Sequence, residues 1–140
     1  MNFSESLKKN RDFQFVYRHG KSYANKYLVM YIIGNNEDKN RIGISVSKKV
    51  GNSVVRHRIT RLIRESYRLR ESKMQCGLDI VVIARASVKD KTYRDIESAL
   101  IHLAKLHNIY ETNWGWFLYG DGFMKKIFIA LIKFYRKYLS

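Results

Sequence analysis

A helix with one apolar and one basic face constrains this chain more than any other feature of its sequence. The helical period begins after Asn52 or Ser53, either of which can cap the N-terminus, and it ends near Arg70. One arc of the helix is apolar and is predicted to pack on a sheet: Val55, Ile59, Leu62, Ile63, Ser66 and Leu69. The opposite arc carries His57, Arg61, Arg64 and Arg68, with Arg56 and Arg58 on its two shoulders. The helix therefore has to lie at the surface of a folded domain.

Shorter patterns on either side of this helix predict the rest of the fold. In chain order they are a helix over 10–19, strands over 27–33 and 41–47, the basic helix, a central strand over 78–84, and a helix over 91–107. Turn-forming residues separate the first two strands, which predicts that these strands pair as a hairpin. The order α-β-β-α-β-α predicts an α+β two-layer sandwich, with the helices against one sheet.

The charge of the chain predicts a polyanionic partner. There are 27 Lys and Arg residues against 12 Asp and Glu residues, a formal charge of +15, and 46% of the chain is hydrophobic. That apolar fraction excludes a disordered basic tail. Residues 41–70 hold nine basic residues and a single acid, Glu65. Because arginine binds phosphate with two parallel hydrogen bonds and stacks on bases, RNA or DNA is the expected partner. A merely solvated charged face is the alternative.

Other residue types argue against catalytic chemistry on this chain. Lys48, Lys49 and the free N–H groups at 51–54 suit a phosphate oxygen, but the spacing is not that of a nucleotide-binding loop. The four histidines lack metal-ligand spacing, and the acids form no cluster for two-metal nuclease chemistry. The lone Cys76 fits a reducing cytoplasm, and no apolar run is long enough to span a bilayer.

A long motif joins the second strand to the basic helix. It reads Val46-Ser47-Lys48-Lys49-Val50-Gly51-Asn52-Ser53-Val54-Val55-Arg56-His57-Arg58, followed by Arg61-Leu62-Ile63-Arg64-Glu65. This run closely resembles the signature of the protein subunit of bacterial ribonuclease P, although His57 replaces the asparagine in that family's Arg-Asn-Arg core. The resemblance extends from Leu7 to about His107. It implies a sandwich of the ribosomal S5 domain 2-like type.

The resemblance also implies a role in the maturation of tRNA. In that family the RNA subunit removes the 5′ leader of precursor tRNA, using Mg²⁺ held mainly by RNA, and the protein binds both ribonuclease P RNA and the leader. The residues expected to bind RNA are Lys48, Lys49, Asn52, Arg56, His57, Arg58, Arg61, Arg64 and Arg68. The residues expected to line the leader cleft, between the first helix and the sheet, are Phe13, Tyr17 and Tyr31. Helical spacing alone equally allows Phe13 and Tyr17 to be core residues.

Two other functions stay open at this point. A structural or ribosomal RNA-binding protein could use the same basic helix without a leader cleft. A DNA-binding module could place that helix in the major groove, but its basic face lacks the Asn or Gln that reads adenine. No obligate protein partner is expected.

The family pattern ends after Tyr110, which predicts a ribonuclease P protein domain over 1–110 and an unrelated extension over 111–140. Residues 124–140 form an amphipathic pattern, with Lys126, Lys133 and Lys137 opposite four apolar side chains. This segment resembles the start of the membrane protein insertion efficiency factor family. We expect a read-through or frameshift that joins two reading frames; a membrane-anchoring tail is the alternative.

Overall fold

A five-stranded mixed sheet organises residues 4–110, the part of the chain that the computed structural model describes. The strands are β1 (Ser4–Ser6), β2 (Lys21–Ala24), β3 (Leu28–Gly34), β4 (Asn40–Ser45) and β5 (Leu78–Ala84), in the spatial order β1-β4-β5-β3-β2. The helices are α1 (Asn10–His19), α2 (Ser53–Arg70) and α3 (Tyr93–Leu106). The predicted α+β class is confirmed. The predicted extension over 111–140, with its amphipathic helix, lies outside the described residues.

The predicted hairpin between the strands over 27–33 and 41–47 is wrong. Strand β5 lies between β3 and β4, antiparallel to β3 and parallel to β4, and α2 makes the crossover from β4 to β5. Six of the seven residues of β5 are buried, and a strand this apolar needs a neighbour on each side and cover on both faces. Strand β3 forms its hairpin with β2 instead. The sequence pattern missed β1 and β2, because these short edge strands are mostly polar and exposed.

The main core lies between one face of the sheet and helices α2 and α3. It is built from alternate residues of the strands and from the apolar faces of the two helices, including Leu28, Met30, Ile42, Ile59, Ile63, Leu78, Ile80, Ile96, Leu100 and Leu103. One face of α3 is buried, and the start of this helix is fixed by a capping box between Thr92 and Asp95. Helix α2, the basic helix, therefore packs on the core along its apolar face.

The buried arc of α2 is turned slightly from the predicted one. Tyr67 is buried, whereas Leu69, predicted to pack on the sheet, is 53% exposed. Hydrogen bonds of the Tyr67 hydroxyl account for this rotation. The hydroxyl lies 2.6 Å from Ser4 Oγ and accepts a hydrogen bond from Asn40 Nδ2 at 3.2 Å. These bonds join α2 to β1 and β4. The rotation leaves the Arg56 side chain partly buried, as is that of Arg70, whereas the other arginines of α2 stay exposed.

Helix α1 covers part of the opposite face of the sheet. Its buried residue Val16 packs with Leu7 and Val81, and partly buried aromatic side chains surround this small cluster. Gly20 follows the helix, where a Cβ atom would lie 2.6 Å from the Val16 carbonyl oxygen. A side chain at residue 20 would therefore push the chain away from α1. None of the helices within residues 4–110 is long and apolar enough to cross a membrane.

Candidate nucleic-acid interface

The basic face of α2 points away from the sheet. His57, Arg61 and Arg64 are exposed along it, and no ion pair within residues 4–110 involves Arg61 or Arg64. Val54 leaves 76% of its surface exposed on the same side. This face offers exposed guanidinium groups that lie outside the ion pairs of the described residues, with an apolar contact beside them, an arrangement suited to a nucleic-acid backbone.

The start of α2 adds two more cations. Of the two predicted capping residues, Asn52 caps the helix, because its side-chain oxygen accepts a hydrogen bond from the Val55 N–H at 3.0 Å. Val50 is buried and anchors the preceding loop, so that Lys48 and Lys49 are left exposed. The first turn of α2 contains no acidic residue. Lysines and a helix N-terminus therefore meet at one end of the basic face.

Not every predicted RNA-binding cation is equally available. Arg68 donates Nε to Glu65 Oε2 at 3.0 Å and forms an ion pair with the same carboxylate. This hydrogen bond is the main reason that the pKa of Glu65 lies below its ordinary value. The Arg56 side chain is partly buried, and its Nε finds no hydrogen-bond partner in the described part of the chain. The arginines of α2 that are exposed and form no ion pair within residues 4–110 are therefore the most available to phosphate.

The guanidinium of Arg58 is committed to backbone groups. Its Nη2 donates to the carbonyl of Lys91 at 2.9 Å and its Nη1 to that of Lys89 at 3.4 Å. Both carbonyls belong to the connection between β5 and α3. Sequence periodicity placed Arg58 on the shoulder of the basic face but gave no sign of these partners.

A groove of about 420 Å³ lies between α1 and the end of β4, and we call it the α1–β4 groove. Its lining is Lys8, Asn10, Phe13, Gln14, Tyr17, Ile44 and Ser45. Four of these residues, at positions 10, 13, 14 and 17, follow the i, i+3, i+4, i+7 pattern of one helix face. The pattern could have identified Asn10 and Gln14 together with the two aromatic residues that the sequence predicted.

The three predicted cleft residues come together at this groove. The ring centroids of Phe13 and Tyr17 are 6.4 Å apart, and Tyr17 meets Tyr31 of β3 edge to face at 5.1 Å. Phe13 and Tyr17 line the groove, and Tyr31 supports Tyr17 from the sheet. Burial raises the pKa of Tyr17, and a hydrogen bond with Ser45 opposes that shift. All three rings are only partly buried, so each contributes to the core and also presents a surface.

Gly43 lies directly against Phe13, one of the residues that line the groove. A Cβ atom on this residue of β4 would lie 2.6 Å from Phe13 Cζ, so the Phe13 ring rests directly on the strand backbone. Strand β4 ends at Ser45, which lines the groove, and Lys48 follows three residues later. The aromatic groove and the basic start of α2 therefore adjoin at the same end of one strand.

The family model described as Ribonuclease P matches residues 1–107. The ribonuclease P protein component of Lachnoclostridium phytofermentans is 67% identical over 106 residues, which cover 76% of this chain and 91% of that protein. The corresponding protein of Clostridioides difficile is 53% identical over 109 residues, 77% of this chain and 96% of its own.

Solved structures of RNase P proteins superpose on this chain and support the same family. The RNase P protein of Staphylococcus aureus superposes with a TM-score of 0.71 at 43% identity, covering 76% of this chain and 97% of that one. The protein of Thermotoga maritima gives 0.68 at 32% identity, covering 73% and 96%. The chain belongs to the ribonuclease P protein family and has that family's role as the protein subunit in tRNA 5′ processing.

Proposed function

We propose that this protein contributes binding, and that the RNA subunit of ribonuclease P performs the cleavage. Mg²⁺ is then held mainly by RNA. Among residues 4–110, no three His, Cys, Asp or Glu side chains come close enough together to hold a metal ion. The site of action is the cytoplasm, which the single cysteine also favours.

The basic face of α2 binds the RNA subunit in this proposal. Arg61 and Arg64 are exposed and take part in no ion pair within residues 4–110, and Lys48 and Lys49 extend the same charge to the start of the helix. Neutralised phosphates release counterions, so binding weakens as salt rises. Replacing Arg61 and Arg64 with Ala should reduce the slope of log affinity against log salt by about one to two. An unchanged slope would show that these side chains do not meet phosphates.

The α1–β4 groove binds the 5′ leader of precursor tRNA. The supporting observation is the arrangement of Phe13, Tyr17 and Tyr31, three partly exposed rings that touch in series where the groove meets the sheet. An unpaired leader offers free base faces, and stacking on an aromatic ring contributes about 1–3 kcal/mol per base with little sequence preference. Such tolerance suits a protein that handles many different leaders.

Cleavage of precursor tRNA at low Mg²⁺ tests whether the RNA subunit performs the reaction while the protein contributes binding. The chain should stimulate cleavage when a bacterial ribonuclease P RNA is present and should cut nothing without it. Cleavage by the protein alone would contradict the assignment of the chemistry to RNA. Binding of RNA without any stimulation would favour the alternative, a structural or ribosomal RNA-binding protein.

A matched pair of substitutions tests the groove. Phe13 and Phe15 lie two residues apart on α1, but Phe13 lines the groove whereas Phe15 is 53% exposed beside His19. Phe13→Leu keeps an apolar side chain and removes the flat ring, and we expect it to weaken leader binding about fivefold or more. Phe15→Leu should leave leader binding unchanged. Equal effects of the two substitutions would refute the assignment.

A further inference from the structure

We propose that Arg58 is a positioning residue and that the connection it holds carries a second contact surface for ribonuclease P RNA. This inference rests on the RNA-binding role proposed for α2. The two carbonyls that Arg58 binds, those of Lys89 and Lys91, lie 31 and 33 residues further along the chain. One side chain of the basic helix thereby fastens a distant segment beside the basic face.

The same connection is fastened to the turn between β2 and β3. The backbone N–H of Arg85 donates to the Tyr27 carbonyl at 2.9 Å, and its Nη1 donates to the Asn25 carbonyl at 2.8 Å. Segments 25–27 and 85–91, which we call the loop platform, therefore form one continuous surface. The hydrogen bonds from Arg58 to segment 85–91 fix the position of this platform relative to α2.

The loop platform is rich in cations: Lys26, Arg85, Lys89 and Lys91. The ammonium groups of Lys26 and Lys91 lie 5.6 and 5.5 Å from the centroid of the same Tyr27 ring. Within residues 4–110 none of these four side chains takes part in an ion pair. Cations gathered in this way repel one another, and a polyanion relieves the repulsion.

Two acidic residues lie in or beside the loop platform. Asp90 is exposed within it, and Asp95 follows at the start of α3. The Asp95 carboxylate is engaged in the capping box, and hydrogen bonds from Thr92 lower its pKa more than the charge of Lys91 does. With both acids counted against the four cations, an excess of two positive charges remains.

Position in the fold favours the RNA subunit as the occupant. The platform continues the basic face of α2 through Arg58, so an RNA backbone bound along α2 reaches it without leaving positively charged surface. The α1–β4 groove belongs to α1, which packs on the opposite face of the sheet. The geometry therefore assigns the platform to ribonuclease P RNA and the groove to the leader.

Charge-neutral substitutions test the platform in the full-length chain. Lys89→Gln with Lys91→Gln should lower affinity for ribonuclease P RNA, measured without tRNA, by about tenfold, and should reduce the salt slope by about two. Lys39→Gln with Lys105→Gln is the matched control. It removes the same charge at a different edge of the sheet and at the other end of α3, and it should change the slope little.

A double-mutant cycle then separates positioning from direct contact. Arg58→Ala should reduce the salt slope as the lysine pair does, and Arg58→Lys, which can still donate to one carbonyl, should restore part of it. Adding Arg58→Ala to the Lys89→Gln, Lys91→Gln pair should reduce the slope no further. A further reduction of about one would show that Arg58 meets a phosphate itself and would overturn its role as a positioning residue.

The outcomes distinguish this inference from the proposed function. If the lysine pair leaves the slope unchanged while Arg61→Ala with Arg64→Ala reduces it, the platform is refuted and the role of α2 stands. If neither pair changes the slope, both proposals fail. An effect of the lysine pair that appears only when precursor tRNA is bound would assign the platform to tRNA and overturn the choice of the RNA subunit.

Discussion

Replacing Asp79 with Asn should destabilise the domain, because three donors converge on its carboxylate and the residue is only 3% exposed. Arg41 donates Nε to Oδ1 at 2.9 Å and Nη2 to Oδ2, while Asn35 donates Nδ2 to Oδ1 at 2.9 Å. An amide has one oxygen and one NH₂ group. Whichever way it turns, at least one of the three donors faces another donor.

The size of the effect follows from these contacts. A hydrogen bond to a charged group contributes about 1.5–3 kcal/mol, and leaving one member of a buried ion pair alone costs about 3–5 kcal/mol. The Arg41 side chain is 36% exposed, so water recovers part of the loss. We therefore expect Asp79→Asn to lower the free energy of unfolding by about 2 kcal/mol. Arg41 Nη1 also lies 3.6 Å from Asp12 Oδ2 of α1, so a displaced Arg41 side chain should also disturb the packing of α1 on the sheet.

Urea unfolding followed by circular dichroism measures this change. Glu5→Gln is the matched control, because it breaks the Glu5–Lys39 ion pair at the same end of the sheet, where the side chains are 62% and 58% exposed. An exposed pair of this kind contributes little, so the control should lose less than about 0.5 kcal/mol. If Asp79→Asn lowers the free energy of unfolding no more than the control does, the buried carboxylate does not stabilise this end of the sheet and the reasoning is refuted.

Three further predictions concern the cap, the groove and the pH dependence of stability. Asn52→Ala should lower the free energy of unfolding by about 1 kcal/mol in urea, whereas Asn52→Asp, which keeps the acceptor for the Val55 N–H, should not. Gly43→Ala should displace the Phe13 ring and weaken leader binding, with affinity for ribonuclease P RNA unchanged; leader binding equal to wild type would show that the ring can shift without consequence. Burial lowers the pKa of His107 from its ordinary 6.5, so the unfolded chain binds the proton more readily. The contribution of neutral His107 to the free energy of unfolding is fully present above pH 6.5 and is lost as pH falls through the folded-state pKa. As pH is lowered across that range, the urea midpoint of His107→Gln should therefore drop less than that of the wild type.

The elements that the sequence predicted best are those whose apolar residues repeat with a clear period. The end of α1 at His19, the cap of α2 at Asn52 and the bounds of β5 at Leu78–Ala84 agree with the prediction. Strand pairing could not be read in the same way. The turn-forming residues over 34–38 are equally compatible with a connection across β5, and only the burial of β5 on both faces decides between the two arrangements.

Three arginines of α2 show where prediction of the site ends. Helical spacing places Arg61 and Arg68 on the basic face and Arg58 on its shoulder, and it predicts phosphate binding for all three, yet each has a different environment in the fold. The partner of Arg68 is Glu65, three residues away on the same helix, so the sequence already contained that pair. The partners of Arg58 are carbonyl oxygens, which every residue carries, and only the tertiary structure brings these two within reach. Periodicity thus identifies the face that meets a polyanion, whereas the acceptors nearby determine which cations on that face remain available for phosphate. Arg61, with no such acceptor among the described residues, is the side chain on which the two lines of reasoning agree.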